Sequence, residues 1–180
     1  MKPPSILTLA GALLVLTAQA GAELYFSQAE VAAKLLPGAA LTALNVDLSE
    51  GEAKAIEKAS GEKVRFRHLN LWQAADGSLL FIDKVLGKHD FITYAVALRP
   101  NGTVSGLEIM EYLEAYGKQV RGEKWRGQFV GKGKDAPLKL GEDIDAISGA
   151  TISATHVSGG LRRILQTYEA IKPRILKKAK

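Results

Sequence analysis

Cysteine is absent from all 180 residues of the chain. Without a thiol, the protein has no disulfide, no cysteine-ligated iron–sulfur cluster, no thiolate nucleophile and no lipidated cysteine. Histidine is scarce as well, because His68, His89 and His156 are the only three, and their spacing is not that of a metal site. We therefore predict no structural metal. The order of residues also shows no Ser-His-Asp set, no paired catalytic carboxylates and no internal repeat.

Charge of both signs is present with a small basic excess, 24 Lys and Arg against 19 Asp and Glu, for a net charge of +5. Much of that excess lies in residues 172–180, and no basic stripe is interleaved with aromatic residues. Nucleic acid is therefore not predicted as a partner. The length is typical of one domain with an N-terminal extension.

Residues 1–22 have the layout of a secretory signal peptide. A short basic start precedes an almost uninterrupted apolar run from Ile6 to Ala18, and the small residues after it suit cleavage before Glu23. The run is shorter than the span of about 20 residues that a membrane helix needs, and an uncleaved N-terminal membrane anchor is the alternative. We therefore expect residues 23–180 to be periplasmic or otherwise extracytoplasmic.

The remaining chain predicts an α+β domain, an antiparallel sheet flanked by helices. Ser27 and Glu30 form a capping box before a helix that Pro37-Gly38 ends, and Ser49 opens a second helix over 50–59. Runs typical of strands cover 41–46, 64–72, 79–85, 91–98 and 104–110, with a hairpin turn at Pro100-Asn101-Gly102. We expect one domain over 23–180, with an N-terminal helical part at 23–62 and the sheet and ligand-binding part at 63–180.

The most informative stretch is Asp145-Ala146-Ile147-Ser148-Gly149-Ala150-Thr151, which runs directly into a predicted helix. Its small residues allow a ligand to approach the backbone, and Gly149 can adopt a positive φ. A phosphate attached to Thr151 would be stabilised by the free N–H groups and the dipole at the start of that helix. Asp145 would repel a bare phosphate, which suggests that it holds a metal ion or accepts a proton. The alternative is a capped turn before an ordinary helix.

The helix itself is predicted by apolar residues at three- and four-residue steps, which form one face. These residues are Val157, Leu161, Ile164, Leu165, Tyr168 and Ile171. Ser153 or Thr155 is the candidate N-cap, since a hydroxyl at that position accepts a hydrogen bond from a free backbone N–H.

The string Asp-x-x-Ser-Gly-Ala-Thr followed by Ile-Ser resembles the flavinylation motif of the FMN-binding domain family. That family includes the C subunit of the sodium-pumping NADH:quinone oxidoreductase and the G subunit of the Rnf complex. The resemblance implies that FMN is attached to Thr151 through a phosphoester bond, with Ser148, Gly149, Ala150 and Ser153 beside the cofactor. It also implies modification by a separate Mg-dependent flavin transferase that uses FAD as donor, with Asp145 either holding Mg or accepting a proton during transfer.

A second segment, Glu111 to Gly117, resembles the family's Glu-Thr-Pro-Gly turn, which contacts the flavin. Glu114 and Gly117 match that turn, whereas Ala115 and Tyr116 depart from its threonine and proline. Tyr116 would then supply an aromatic wall to the flavin site. The alternative is that Tyr112 and Tyr116 lie on a helix or turn and simply pack.

A third segment, Trp125 to Lys132, resembles the tryptophan-to-Gly-Lys segment that precedes the motif in this family. Lys132 is the candidate to stabilise an anionic reduced flavin by its charge, and a solvated surface lysine is the alternative. Trp125 and Phe129 are expected in the core. His89, in the loop before a strand, either approaches the flavin or a partner's haem or has a structural hydrogen-bonding role.

The resemblance implies an exported flavoprotein that carries electrons between a membrane or periplasmic donor and another redox partner. A carrier is favoured over an enzyme because no substrate pocket follows from the sequence. Two alternatives stay open, the flavin subunit of a periplasmic reductase and a flavin-free binding or sensory module.

Overall fold

The computed structural model describes residues 23–178. The predicted signal segment, residues 1–22, lies outside that range, and no helix within the range is long and apolar enough to cross a membrane. The helices are α1 (Gln28–Leu35), α2 (Glu50–Ser60), α3 (Glu123–Gly127) and α4 (Thr151–Lys178), with a 3-10 helix at Lys118–Arg121. The strands are β1 (Glu23–Leu24), β2 (Leu41–Ala43), β3 (Asn70–Ala74), β4 (Leu79–Leu86), β5 (Phe91–Leu98) and β6 (Val104–Tyr112).

The strands form one antiparallel sheet in the order β1-β6-β5-β4-β3-β2. The predicted fold class, an antiparallel sheet flanked by helices, is therefore confirmed. The predicted turn at residues 100–102 joins β5 to β6, with Gly102 at φ +84°. The side-chain oxygen of Asn101 accepts a hydrogen bond from the Thr103 N–H at 3.0 Å, which closes the turn.

Both N-terminal helices begin at capping boxes. At α1, the Ser27 N–H donates to the Glu30 carboxylate at 2.8 Å, and the Glu30 N–H donates to the Ser27 hydroxyl at 3.3 Å. Ser49 and Glu52 repeat this arrangement at α2. Each box satisfies two N–H groups that a helix start would otherwise leave without a partner.

Helix α4 covers one face of the sheet and α1 covers part of the other. The six predicted apolar residues of α4, from Val157 to Ile171, are all buried and belong to the larger core. Along β5 the side chains alternate, so that Tyr94 and Val96 lie in the α4 core while Ala95 lies in the smaller cluster under α1. The sheet therefore fixes where the N-terminal end of α4 lies relative to the ends of β5 and β6.

Two strand predictions are wrong in extent. The predicted strand 64–72 is β3 at Asn70–Ala74, and the predicted strand 41–46 is β2 at Leu41–Ala43. Residues 67–69 pair with the segment 46–48 instead of with β4, since the Leu48 N–H donates to the Arg67 carbonyl and the Leu69 N–H donates to the Val46 carbonyl. An alternating pattern shows that a segment is extended, but the pattern does not show which neighbour accepts its hydrogen bonds.

Candidate functional site

A cavity of about 700 Å³ lies where three segments meet at one end of the sheet. They are the loop 88–90 between β4 and β5, the turn 113–117 after β6, and residues 149–153 at the start of α4. Because β4 ends, β5 begins and β6 ends at the same end of the antiparallel sheet, the strand register brings the first two segments together. A volume of this size is typical of sites for cofactors and small ligands.

Thr151 is the first residue of α4, is exposed, and lines the cavity. Gly149 forms the preceding turn at φ +77°, as the sequence predicts, and the Ala154 N–H donates to the Ala150 carbonyl at 2.9 Å to close the first helical turn. The N–H groups ahead of Ala154 have no acceptor within the helix, and the first turn contains no acidic residue. This end of α4 therefore favours a negatively charged group beside the Thr151 hydroxyl.

The predicted N-cap of α4 is wrong. The helix begins two residues before Ser153, so that Ser153 and Thr155 both lie inside it. Ser153 is buried, and its hydroxyl lies 2.7 Å from the hydroxyl of Tyr112 on β6. A hydroxyl that the sequence suggested as a cap instead connects the first turn of α4 to the sheet.

Gly117 occupies the point where the turn after β6 meets α4. Its φ is +94°, and a Cβ atom there would lie 2.4 Å from the Tyr112 hydroxyl and 2.6 Å from the Ser153 hydroxyl. Tyr112 donates its single proton to the Tyr116 carbonyl, so the Ser153 hydroxyl donates to the Tyr112 oxygen. Burial raises the pKa of Tyr112, and the phenol keeps this proton. Gly117 thus permits both the turn and the contact between the turn and α4.

Glu114 lines the cavity but is buried, with 7% of its surface exposed. Its Oε1 atom accepts hydrogen bonds from the backbone N–H groups of His89 at 2.6 Å and Asp90 at 3.1 Å. Burial by itself raises the pKa of Glu114, but the backbone donors of His89, Asp90 and Lys88 outweigh it and hold the pKa below its usual value. The carboxylate is therefore charged at neutral pH and is directed at the loop 88–90.

The cavity also has an apolar and aromatic rim. Tyr116 is 85% exposed, and the half-exposed Leu113 and Ile152 line the cavity with it. Tyr116 therefore does not pack in the interior, whereas Tyr112 does. Leu113 and Ile152, like Lys88 and Asp90, were not singled out from the sequence. The antiparallel register points to Lys88, Asp90 and Leu113, because it places their loops at the same end of the sheet, whereas Ile152 follows directly after Thr151 in α4.

The other predicted residues lie in different surroundings. The Lys132 ammonium is 2.8 Å from the Asp143 carboxylate, so Lys132 forms an ion pair within the loop that precedes the motif at 145–151. Lys132 does not line the cavity. Asp145 is exposed outside the cavity lining, and its carbonyl accepts the Trp125 indole N–H at 2.9 Å. Trp125 and Phe129 are buried, which confirms them as core.

His89 lines the cavity through the loop 88–90, and His68 lies 3.0 Å from the Asp47 carboxylate. Across residues 23–178, the structure contains no group of three or more histidine and acidic side chains arranged to hold a metal ion.

The fold and the cavity define a small α+β domain with a candidate ligand site at the start of its longest helix. Residues 87–166 match the FMN-binding domain family, and this match spans all three segments that line the cavity. Residues 87–166 therefore match an FMN-binding domain, which confirms the family resemblance that the motif indicates.

The fold is similar to that of NqrC from Shewanella oneidensis, known from a crystal structure. The TM-score is 0.55 at 15% sequence identity, over 80% of this chain and 87% of that one. At this identity the likeness concerns the fold. No protein of curated function matches the chain.

Proposed function

We propose that this chain is an exported flavoprotein that carries electrons, with FMN esterified to Thr151. The observation that carries the proposal is the position of Thr151, an exposed hydroxyl at the first residue of α4 and on the wall of the cavity. The FMN-binding domain match over residues 87–166 supports FMN as the cofactor. Residues 1–22 would direct export as a signal peptide.

The residues of the cavity fit FMN. Its phosphate would lie at the positive end of α4, where the first turn offers backbone N–H groups and no carboxylate. Its ring system is large, flat and largely apolar, which suits the cavity rim that Leu113, Tyr116 and Ile152 form. The segment 148–150 leaves the approach to Thr151 open, because its side chains are small and Gly149 turns the backbone with a positive φ.

Attachment would follow the chemistry that the family motif implies. The Thr151 hydroxyl oxygen would form a bond to the FMN phosphorus of FAD, the pyrophosphate bond would break, and AMP would leave while the hydroxyl proton passes to a base. Asp145, exposed six residues earlier, is available to the flavin transferase as a Mg ligand or as that base. Trp125 and Gln128 hold the backbone of Asp145 in place, since the Asp145 N–H donates to the Gln128 side chain at 2.8 Å.

The bound cofactor would supply reversible electron transfer, and the chain would supply its position and surroundings. The site has an exposed rim at Leu113, Tyr116 and Ile152, which suits contact with a membrane or periplasmic redox partner better than it suits enclosure of a small substrate. A covalent bond also prevents loss of the cofactor outside the cytoplasmic membrane.

The test is coexpression of the chain with a flavin transferase and measurement of its intact mass. We expect a gain equal to FMN minus one water in the wild type and in Thr155→Ala, and no gain in Thr151→Ala. Thr155 is the matched control because it is an exposed threonine one turn further along the same helix. An unmodified wild type, beside a control domain that the same transferase modifies, would contradict covalent attachment.

A second measurement separates the carrier from a reductase. After reduction, the flavinylated chain should be reoxidised once for each bound FMN. When a reductant is also present, the chain alone should not catalyse repeated reduction of a set of small organic acceptors. Sustained turnover by the chain alone would identify it as the flavin subunit of a reductase.

A further inference from the structure

We propose that Glu114 is a positioning residue, which holds the loop 88–90 in place as one wall of the cavity and thereby shields the flavin ring. The effect on the ring rests on the proposed function, whereas the effect on the loop concerns the protein alone. Glu114 acts through backbone atoms of the loop, so this role differs from the direct flavin contact that the family resemblance implies.

The first argument is the direction of the carboxylate. Glu114 reaches from the turn after β6 to the loop between β4 and β5, where its Oε1 atom accepts the N–H groups of His89 and Asp90. An oxygen with two donors at 2.6 and 3.1 Å is engaged by the loop and not by the open cavity.

The second argument is that the residue before the loop, Gly87, leaves space for this carboxylate. Gly87 precedes the loop, and a Cβ atom there would lie 2.4 Å from the Glu114 Oε1 atom and 3.0 Å from its Cγ atom. The Gly87 N–H donates to the Asp90 carbonyl at 2.7 Å, which folds the loop back on itself. The absence of a side chain at residue 87 therefore allows the carboxylate to lie beneath the loop.

The third argument concerns the side chains of the loop. The side chains of Lys88, His89 and Asp90 are exposed, so packing does not hold them. Glu114 is buried, and a buried carboxylate requires donors. The loop supplies those donors, and the same hydrogen bonds hold residues 88–90 in position as one wall of the cavity.

The test compares Glu114→Ala with Glu114→Gln, because the amide oxygen of glutamine can still accept a hydrogen bond from the loop. Glu108→Gln is the matched control, since Glu108 lies on β6, just before the turn that holds Glu114, and is similarly buried at 6% exposed, but its partners are Lys34 and Arg126. Amide hydrogen exchange is measured on the flavin-free chains. We expect exchange at residues 89 and 90 to be about tenfold faster or more in Glu114→Ala, as loss of two hydrogen bonds implies. Glu114→Gln should be intermediate and Glu108→Gln unchanged.

The second readout is quenching of flavin fluorescence by iodide in the flavinylated chains. Quenching should increase severalfold in Glu114→Ala and partly recover in Glu114→Gln, because a displaced loop leaves the ring open to solvent. Unchanged exchange in Glu114→Ala would overturn the proposal, and so would faster exchange with unchanged quenching. Absence of FMN from the wild type would overturn the proposed function instead, and the exchange series would still decide whether Glu114 holds the loop.

Discussion

Gly117→Ala tests whether the turn after β6 and the start of α4 meet as closely as the structure shows. Gly117 combines a φ of +94° with a missing Cβ atom that would lie 2.4 Å from the Tyr112 hydroxyl and 2.6 Å from the Ser153 hydroxyl. The left-handed backbone costs an L-residue about 1–2 kcal/mol. Overpacking at a buried position adds about 1–3 kcal/mol. We therefore expect Gly117→Ala to lower the free energy of unfolding by about 2–5 kcal/mol.

Gly131→Ala is the matched control for the backbone contribution. Gly131 has a φ of +85°, but a Cβ atom there would meet nothing within 4 Å. The control should therefore lose only the backbone contribution, about 1–2 kcal/mol. Both variants are compared with the wild type by urea unfolding of the flavin-free chain, with the midpoint and the slope fitted together.

A further pair of variants isolates the contact itself. In a Tyr112→Phe, Ser153→Ala background both hydroxyl groups are missing, so adding Gly117→Ala should cost less than it does in the wild type. Equal losses for Gly117→Ala and Gly131→Ala, or an unchanged cost in the double-variant background, would refute the close approach of the turn to α4.

Two further predictions concern the charge of Glu114 and the packing of α4. Because folding lowers the pKa of Glu114 below its usual 4.5, the stability that its carboxylate contributes is present above that value and is lost as pH falls through the folded pKa. The difference in unfolding free energy between the wild type and Glu114→Gln should therefore be constant near neutral pH and become smaller in acid. A difference that becomes larger in acid would contradict a lowered pKa for Glu114. At Gly160 a Cβ atom would lie 2.3 Å from the Tyr94 hydroxyl and 2.6 Å from a Val85 methyl group, so Gly160→Ala should lose about 1–3 kcal/mol. Gly51→Ala in α2 is the control, because a Cβ atom there meets nothing within 4 Å, and it should raise the free energy of unfolding by up to about 1 kcal/mol. If thermal unfolding showed that Gly160→Ala is also stabilising, α4 would lie further from the sheet than the structure shows.

The local parts of the fold were predictable from the sequence. The β5 strand has both of its predicted ends, and the capping box at Ser27 and the turn at residues 100–102 form as expected. These features depend on a few neighbouring residues whose chemistry dictates one local structure.

Pairing between distant segments was not predictable in the same way. The N-cap chosen for α4 was wrong because the hydroxyl of Ser153 contacts Tyr112 across the fold, and nothing local indicates that contact. The resemblance implies a flavin contact for Glu114, but it does not indicate that the Glu114 carboxylate accepts backbone N–H groups of the distant loop 88–90, since any sequence supplies such groups. The position of Thr151 on the cavity follows from the register of the sheet together with the start of α4, neither of which the motif specifies.

The most direct measurement of the central claim is the site of modification. Trypsin should release residues 140–162 as one peptide, since it cleaves after Lys139 and Arg162, and this peptide contains Thr151 and Thr155. After coexpression with a flavin transferase, fragment masses should place a gain of FMN minus one water on Thr151. A peptide without the gain, or a gain that the fragments place on Ser148, Ser153 or Thr155, would contradict FMN attachment at Thr151.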